Sequence, residues 1–378
     1  HAFNAEPYQN EKFDRPSKDM MNVQMKNQKL FSLVQPTMTL GMNGLALSIY
    51  WLGAALVNKI ALTDPMGRIG MFSDVLVFST YATYIVMSFM MLVMIFMMLP
   101  QAEVSAERIN EVLNRTAAVT EGSTQRSTEH GTVEFQDVSF RYPHASEDAL
   151  SHLSFRVQPG QTLAIIGATG SGKSTLVSLI ARFYDATSGR VLVDGVDVKD
   201  YTFDALYDRL GYVTQKAVLF SGSIRENIFF GESQTPFNEQ DLAKAVELSQ
   251  AQEFVDKLPD KTEHHIAQMG RNVSGGQKQR LSIARALARN PEILIFDDSF
   301  SALDYRTDAK LREGLSTALH DATKIIVAQR ISTIRHADQI IVLDRGEAVG
   351  MGTHAELMQT CGVYREIALS QLSASELA

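Results

Sequence analysis

The pattern of apolar and polar positions divides the chain into two regimes. In the first third the apolar residues run on without a break. No charged residue occurs from Leu30 to Asn58, and none from Val75 to Ala102. Each run exceeds the roughly 20 residues a helix needs to cross a bilayer core. Two buried helices of a large soluble core are the other use for such runs, but stretches this long without a charge are rare there. Between them lie Lys59, Asp64, Pro65, Gly67 and Arg68, the composition of a short loop. The pattern predicts a transmembrane hairpin, with spans at about 30–58 and 75–100 and both outer ends on one side. Lys12, Lys18, Lys26 and Lys29 precede the first span, which agrees with a cytoplasmic start.

Within the first span, Pro36, Gly41 and Gly44 predict bending or close helix packing. In the second, Met87, Met91, Met94 and Met98 share one helical face, with Met90 and Met97 beside it. Helix packing or lipid contact is the commoner use of such a stripe; an adaptable binding cavity is the other. After Pro100 the helical period continues through "QAEVSAERINEVL" but turns amphipathic, as if the second span continued into water. "NRTAAVTEGSTQRSTEHG" is small and polar, a linker by composition. From Thr132 onward strand and helix patterns alternate, which marks an α/β domain. The expected organisation is a membrane part at 1–113, a linker at 114–130 and an α/β domain at 131–378.

Charge and cysteine content narrow the function. The net charge of the 378 residues is −8, which gives no general pull toward nucleic acid. A single cysteine, Cys361, excludes an intrachain disulfide and fits a reducing compartment. The sequence opens at His1 in mid-pattern, as expected of a fragment or a processed chain, so no targeting signal can be judged from it.

The most specific stretch is "LAIIGATGSGKSTLVSLIARF". An apolar strand, Leu163 to Ile166, leads into Gly167, Ala168, Thr169, Gly170, Ser171, Gly172, Lys173 and Ser174, and a helix pattern starts directly after. This is the Gly-x4-Gly-Lys-Ser/Thr spacing. Its glycines let the backbone wrap so that N–H groups face phosphate oxygens, and the helix N-terminus adds partial positive charge. Lys173 is expected to reach the β- and γ-phosphates and the Ser174 hydroxyl to bind Mg²⁺; Thr175 completes the nucleotide-binding set. A flexible glycine turn is the bland reading, but background frequencies give the pattern in roughly one chain of this length in a hundred. Ile293 to Phe296 is apolar without alternation, as in a parallel strand covered on both faces. Asp297 ends it, placed to hold Mg²⁺ through a water.

A third motif says which kind of nucleotide-binding domain this is. "VSGGQKQRLSIARAL", Val273 to Leu287, resembles the signature of ABC transporter ATPases, with Val273 where leucine is usual. "FRYP", "RFYDATSG", "GYVTQ", "FSGSIRENI" and "SALD" follow the family's order. The hairpin before them resembles the last two membrane helices of an exporter-type half-transporter, and "HAFNAEPYQNEKFD" the cytoplasmic lead into the first of those. The fold implied is an α-helical transmembrane hairpin followed by an α/β ABC-type P-loop ATPase domain with a helical subdomain. If the resemblance holds, four membrane helices of the half-transporter lie outside this chain, which alone should not form a transport pathway.

The resemblance also implies roles. Tyr142 would stack on adenine, and Gln215 would touch Mg²⁺ and sense the membrane part. Ser274, Gly275, Gly276 and Gln277 would act on the γ-phosphate of a partner's site. Ser301 and Asp304 would belong to the loop that crosses the dimer interface. The cofactors implied are ATP and Mg²⁺. The partners are a second ABC half-transporter, the lipid bilayer and an exported small molecule, lipid or peptide. The location is the cell membrane, multi-pass, with the nucleotide-binding domain cytoplasmic.

Two catalytic positions depart from the family. Asp298 stands where a glutamate polarises water, and Gln329, in "TKIIVAQRIST", where a histidine contacts the γ-phosphate. A third departure is "HHIAQMGRN", with Ala267 and Gln268 in place of the usual glycine and glutamate. The two catalytic departures imply a degenerate, slowly hydrolysing site in one half of a heterodimeric multidrug exporter. The alternatives are a homodimer slow at both sites and a regulatory or channel-gating subunit. A chromosome-repair ATPase head shares the motifs but has no membrane hairpin.

Overall fold

The computed structural model describes residues 4–231, 236 and 238–371; the first three residues of the lead-in stretch lie outside them. The chain forms two compact units, one ending at Thr116 and the other starting at Ala117.

The first unit is a helical hairpin, α1 (Glu6–Lys59) and α2 (Pro65–Leu113). Both contain a window apolar enough to cross a membrane, with mean hydropathy 1.5 and 2.3. The helices start and stop where local chemistry directs. Asp64 accepts a hydrogen bond from the Gly67 N–H at 2.9 Å, and Pro65 occupies the first helical position, where its missing N–H costs nothing. Pro36 and Pro100 lie inside continuous helices, and α2 continues past Pro100 as the amphipathic pattern predicts. Close packing falls elsewhere than expected. Within this unit Gly41 and Gly44 face open space, whereas a Cβ at Gly53 would lie 2.6 Å from the Val75 methyls. The absent side chain at Gly53 is what lets the helices approach. Next to it the Ser79 and Tyr50 hydroxyls pair at 3.4 Å, which spares both from facing hydrocarbon unbonded.

The second unit is three-layered. Strands β1 (Val133–Phe140), β2 (Leu150–Val157), β4 (Ser188–Val193) and β5 (Val196–Asp197) form an antiparallel sheet in the order β2-β1-β4-β5. Strands β3 (Thr162–Gly167), β6 (Leu210–Val213), β9 (Ile293–Asp297), β10 (Thr323–Val327), β11 (Gln339–Asp344) and β12 (Glu347–Gly352) form a six-stranded sheet in the order β12-β11-β3-β10-β9-β6. Only β12 runs antiparallel to its neighbour. The period of two in these strands divides two cores. Leu163, Ile165, Ile293, Ile295, Ile325 and Val327 face the antiparallel sheet and the helix α3 (Lys173–Ile180). Ala164, Ile166, Leu294, Phe296 and Ile326 face the other way. That second core is closed by α5 (Ile224–Ile228), α6 (Glu239–Leu248), α8 (Gly275–Leu287) and α9 (Tyr305–Ala318). A strand buried on both faces has no polar alternation, hence the unbroken apolar runs in the sequence. Short elements complete the unit, among them α4 (Phe203–Arg209), β7 (Gly222–Ser223), α7 (Gln252–Val255), β8 (His265–Ile266) and α10 (Ile331–Ile334).

The polar segment after α2 is more ordered than its composition suggests. The Gly122 N–H donates to the Tyr201 carbonyl at 2.9 Å, Thr124 N–H to Asp200 at 2.7 Å, and Thr202 N–H returns to Thr124 at 2.9 Å. Backbone pairing needs no apolar side chain, so composition does not report it.

Candidate nucleotide-binding site

Strand β3 ends at Gly167 and delivers the chain into a tight loop whose turns are made by glycine. Gly170 has φ +84° with open space where a side chain would stand, and Gly172 has φ +100°. A Cβ on Gly172 would lie 2.7 Å from a Leu150 methyl and 2.8 Å from the Ala149 carbonyl, so both conformation and space exclude other residues. Lys173 begins α3. Its Nζ donates to the carbonyls of Gly167 (2.8 Å) and Ala168 (2.7 Å), folding the lysine back over the loop. Burial lowers its pKa, and Asp298 and Asp297 oppose that shift. Within the loop the Ser171 hydroxyl is buried without a hydrogen-bond partner among the described residues.

Next to the loop, the Ser174 hydroxyl donates to Asp297 Oδ1 at 2.9 Å. Asp297 closes β9 and is 7% exposed. Burial raises its pKa, Ser174 pulls it down and Asp298 pushes it up again. The Ser174 hydroxyl, the buried Asp297 carboxylate and the nearby Gln215 amide form an oxygen-rich donor set. This suits a hard divalent cation such as Mg²⁺, which takes one or two carboxylates and keeps waters or phosphate oxygens for the rest. Among the described residues no cluster of three or more His, Cys, Asp or Glu offers an all-protein metal cage.

The two unusual positions meet. Asp298 is buried and its Oδ2 accepts from Gln215 Nε2 at 3.1 Å and from Gln329 Nε2 at 2.8 Å. Tyr142 stands at the other end of the cleft, 37% exposed. Its ring meets Phe140 and Tyr184 edge-on, and its hydroxyl lies 2.9 Å from Thr175 Oγ1. One cleft of about 560 Å³ is lined by Tyr142, Thr169, Lys173, Ser174, Gln215 and Gln329, with Gly170, Gly172, Thr175 and Asp298.

Ser274, Gly275, Gly276 and Gln277 do not line that cleft. They open α8 through a reciprocal cap. Ser274 Oγ accepts from the Gln277 N–H at 3.3 Å, and Gln277 Oε1 from the Ser274 N–H at 2.9 Å. Asp304 caps α9, accepting from the Thr307 N–H (3.0 Å) and hydroxyl (2.7 Å), while Ser301 Oγ donates to the Asp298 carbonyl at 2.7 Å. Before α8, the loop bearing Ala267 and Gln268 is held without a carboxylate. The Ala267 N–H donates to the Asn272 side chain at 2.9 Å, and Lys278 Nζ to the Met269 carbonyl at 2.9 Å.

Sequence reasoning missed one wall of the cleft, Arg345 and Gly346. Both have positive φ (48° and 86°) and form the two-residue turn between β11 and β12. From there the Gly346 N–H reaches the Ser171 carbonyl at 3.2 Å. The "DRGE" hairpin signal was available, since an X-Gly pair between apolar strands marks such a turn. It does not say that the tip lands on the phosphate loop.

Comparison with known proteins agrees with this geometry. A family model described as ABC transporter matches residues 150–301. Residues 150–301 belong to the ABC transporter family. An uncharacterized ABC transporter ATP-binding protein of Mycobacterium tuberculosis is 40% identical over 385 residues, covering 99% of this chain and 63% of its own. The ATP-dependent lipid A-core flippase of Aromatoleum aromaticum is 35% identical over 366 residues, covering 97% and 59%. A solved structure of a bacterial Atm1-family ABC exporter with ATP bound is 29% identical, covers 98% of this chain and 64% of its own, and superposes with a TM-score of 0.84. The chain thus spans about three fifths of the length of the curated relatives it matches. It has the fold of an Atm1-family ABC exporter, with two long apolar helices followed by an ATP-binding domain. This ABC protein is membrane-associated, with its ATP-binding domain cytoplasmic.

Proposed function

We propose that this chain is the ATP-binding part of an ABC exporter half-transporter and builds the degenerate, slowly hydrolysing site of a heterodimer. Paired head to tail with a second half-transporter that carries glutamate and histidine, its phosphate loop forms the slow site. Its signature residues, Ser274 to Gln277, complete the partner's fast one. ATP binding draws the two domains together and hydrolysis at the fast site releases them, which drives export of a small molecule, lipid or peptide.

The observation that carries this reading is a contrast inside one cleft. Tyr142, Lys173, Ser174 and Thr175 line the cleft and Asp297 accepts from Ser174 beside it, a set suited to nucleotide and Mg²⁺. At the two positions that activate water stand Asp298 and Gln329, bonded to each other at 2.8 Å. Loss of a well-placed general base costs typically ~10²–10⁴-fold in rate. Binding without rapid turnover is the outcome expected of such a site.

The test is steady-state ATPase of the full-length polypeptide, alone and assembled with a half-transporter bearing both consensus residues, together with flux into vesicles. Slow hydrolysis alone and fast hydrolysis in the pair is the expected result. Equal slow rates in both would replace the heterodimer by a homodimer slow at each site. ATP binding without flux would leave a regulatory or gating subunit.

A further inference from the structure

Asp298 is bound from three directions. Its backbone sits at φ +45°, in the left-handed region that non-glycine residues seldom adopt. Its contacts hold it there. Its N–H donates to the Val327 carbonyl at 3.0 Å, and its own carbonyl accepts from Ser301 Oγ at 2.7 Å. The side chain is 7% exposed, and Oδ2 takes both amides, Gln215 at 3.1 Å and Gln329 at 2.8 Å.

A carboxylate only accepts hydrogen bonds, so both amides must present their NH₂ groups to it. That fixes the flip of each side chain, which leaves the amide oxygens of Gln215 and Gln329 directed away from Asp298. Gln215 follows β6 and Gln329 follows β10, two strands separated in the sheet by β9, whose end carries Asp297 and Asp298. The carboxylate therefore bridges the segments on either side of the metal-binding strand. A histidine at 329 would offer a ring N–H in place of an amide NH₂, and a residue one methylene longer at 298 would carry its carboxylate farther from the backbone. The two departures from the family pattern fit each other.

We propose that Asp298 is a positioning residue. Its Oδ2 clamps the amides of Gln215 and Gln329, so that the Gln215 oxygen is left free to take a metal ion and the segment entering α10 is tied to it. This rests on the slow-site reading above and assigns a task to the residue that reading leaves without one.

The test separates an acceptor from a base. Asp298→Asn keeps an oxygen acceptor of the same reach; Asp298→Ala removes it. Binding of a fluorescent ATP analogue to the full chain in detergent is measured with Mg²⁺ and with a chelator, and the ratio of the two affinities gives the metal's advantage. Backbone hydrogen exchange is followed over residues 211–216 and 328–332. The Asn variant should keep the advantage within about twofold and leave exchange unchanged. The Ala variant should lose about tenfold of it, as expected for hydrogen bonds to a charged group, and exchange faster in both segments. Gln329→Leu, which leaves Asp298 in place, should speed exchange at 328–332 alone, and this arm holds even if the Ala variant does not fold. If Ala and Asn both match the parent in ratio and exchange, the clamp is idle and the proposal is overturned, while the slow-site reading stands. If both keep the ratio and exchange but abolish hydrolysis alike, Asp298 is a working base, and the slow-site reading fails with the proposal.

Discussion

The helices α3 and α8 both start at a glycine, and they are prepared for opposite tasks. The α3 N-terminus lies inside a cleft, and Lys173 is folded back onto the carbonyls of its own loop at 2.7 and 2.8 Å. The α8 N-terminus is closed by its own cap, lines no part of that cleft, and a Cβ at Gly275 would meet nothing within 4 Å. Both offer the N–H groups of a helix start and the positive end of a helix dipole, which favour phosphate. Only α3 has the rest of a nucleotide site around it. The chemistry at α8 is complete for an anion but incomplete for ATP. In the proposed pair the partner's domain supplies the rest of that site, and this contrast is the physical argument for pairing.

The comparison breaks most readily at Lys173. Replacing it with alanine removes a positive charge whose two present acceptors are loop carbonyls that any nucleotide phosphate outbids. Charge-assisted hydrogen bonds contribute about 1.5–3 kcal/mol each. The expected outcome for Lys173→Ala is loss of ATP affinity by about a hundredfold or more, measured by equilibrium binding to the chain in detergent. Retained affinity would mean that the α3 loop is not the nucleotide site.

At α8 the expected effect is on another molecule's site. Gly275→Asp should leave this chain's fold and its own ATP affinity unchanged, since the new side chain enters open space. In the assembled pair it places a carboxylate where the partner's γ-phosphate must approach. Steady-state ATPase should fall by about tenfold or more, the order expected for a lost transition-state contact. A normal rate in the pair would show that α8 faces nothing and that the domains do not meet head to tail.

How much of this was legible beforehand depends on how local each signal was. Strands β3 and β9 were readable because burial on both faces removes polar residues, and the α3 loop because phosphate binding demands glycine at fixed spacing. The transmembrane hairpin was readable from the absence of charge alone. The contact at Gly53 was not, since Gly41 and Gly44 look the same in sequence and differ only in what stands opposite them. Asp298 and Gln329 were visible as departures, but not as a bonded pair. Gln215 lies 83 residues from Asp298, and only the sheet order β10-β9-β6 brings the three together. Resemblance flagged the residues; the fold supplied the reason they belong together.

A smaller effect is expected at Tyr142. Its hydroxyl already pairs with Thr175, and its ring is braced by Phe140 and Tyr184, so one face is held ready. Stacking of a base on an aromatic ring contributes ~1–3 kcal/mol in nucleic-acid sites, and a partly exposed ring belongs at the low end. Tyr142→Ala should weaken ATP by about fivefold and inorganic triphosphate hardly at all. Equal weakening of both ligands would make Tyr142 a packing residue that supports α3 through Thr175.

The smallest effect sharpens the comparison most. In the assembled pair, Asp298→Asn changes only the cleft that this chain builds, whereas Gly275→Asp changes only the one it completes. If hydrolysis runs mainly at the partner's site, removing the Asp298 charge should lower steady-state ATPase by less than about threefold, because a base matters only where turnover is fast. The amide that replaces it still offers an oxygen to Gln215 and Gln329, so nucleotide affinity should also stay within a few-fold. The ratio between the two losses is therefore the quantity to measure, under one set of nucleotide and Mg²⁺ concentrations. A large ratio in favour of Gly275→Asp assigns the fast site to the partner. Equal losses would make Asp298 a working base in a second active site. A worse loss from Asp298→Asn would reverse the assignment: the chemistry would then reside at α3, and two identical half-transporters would account for the activity.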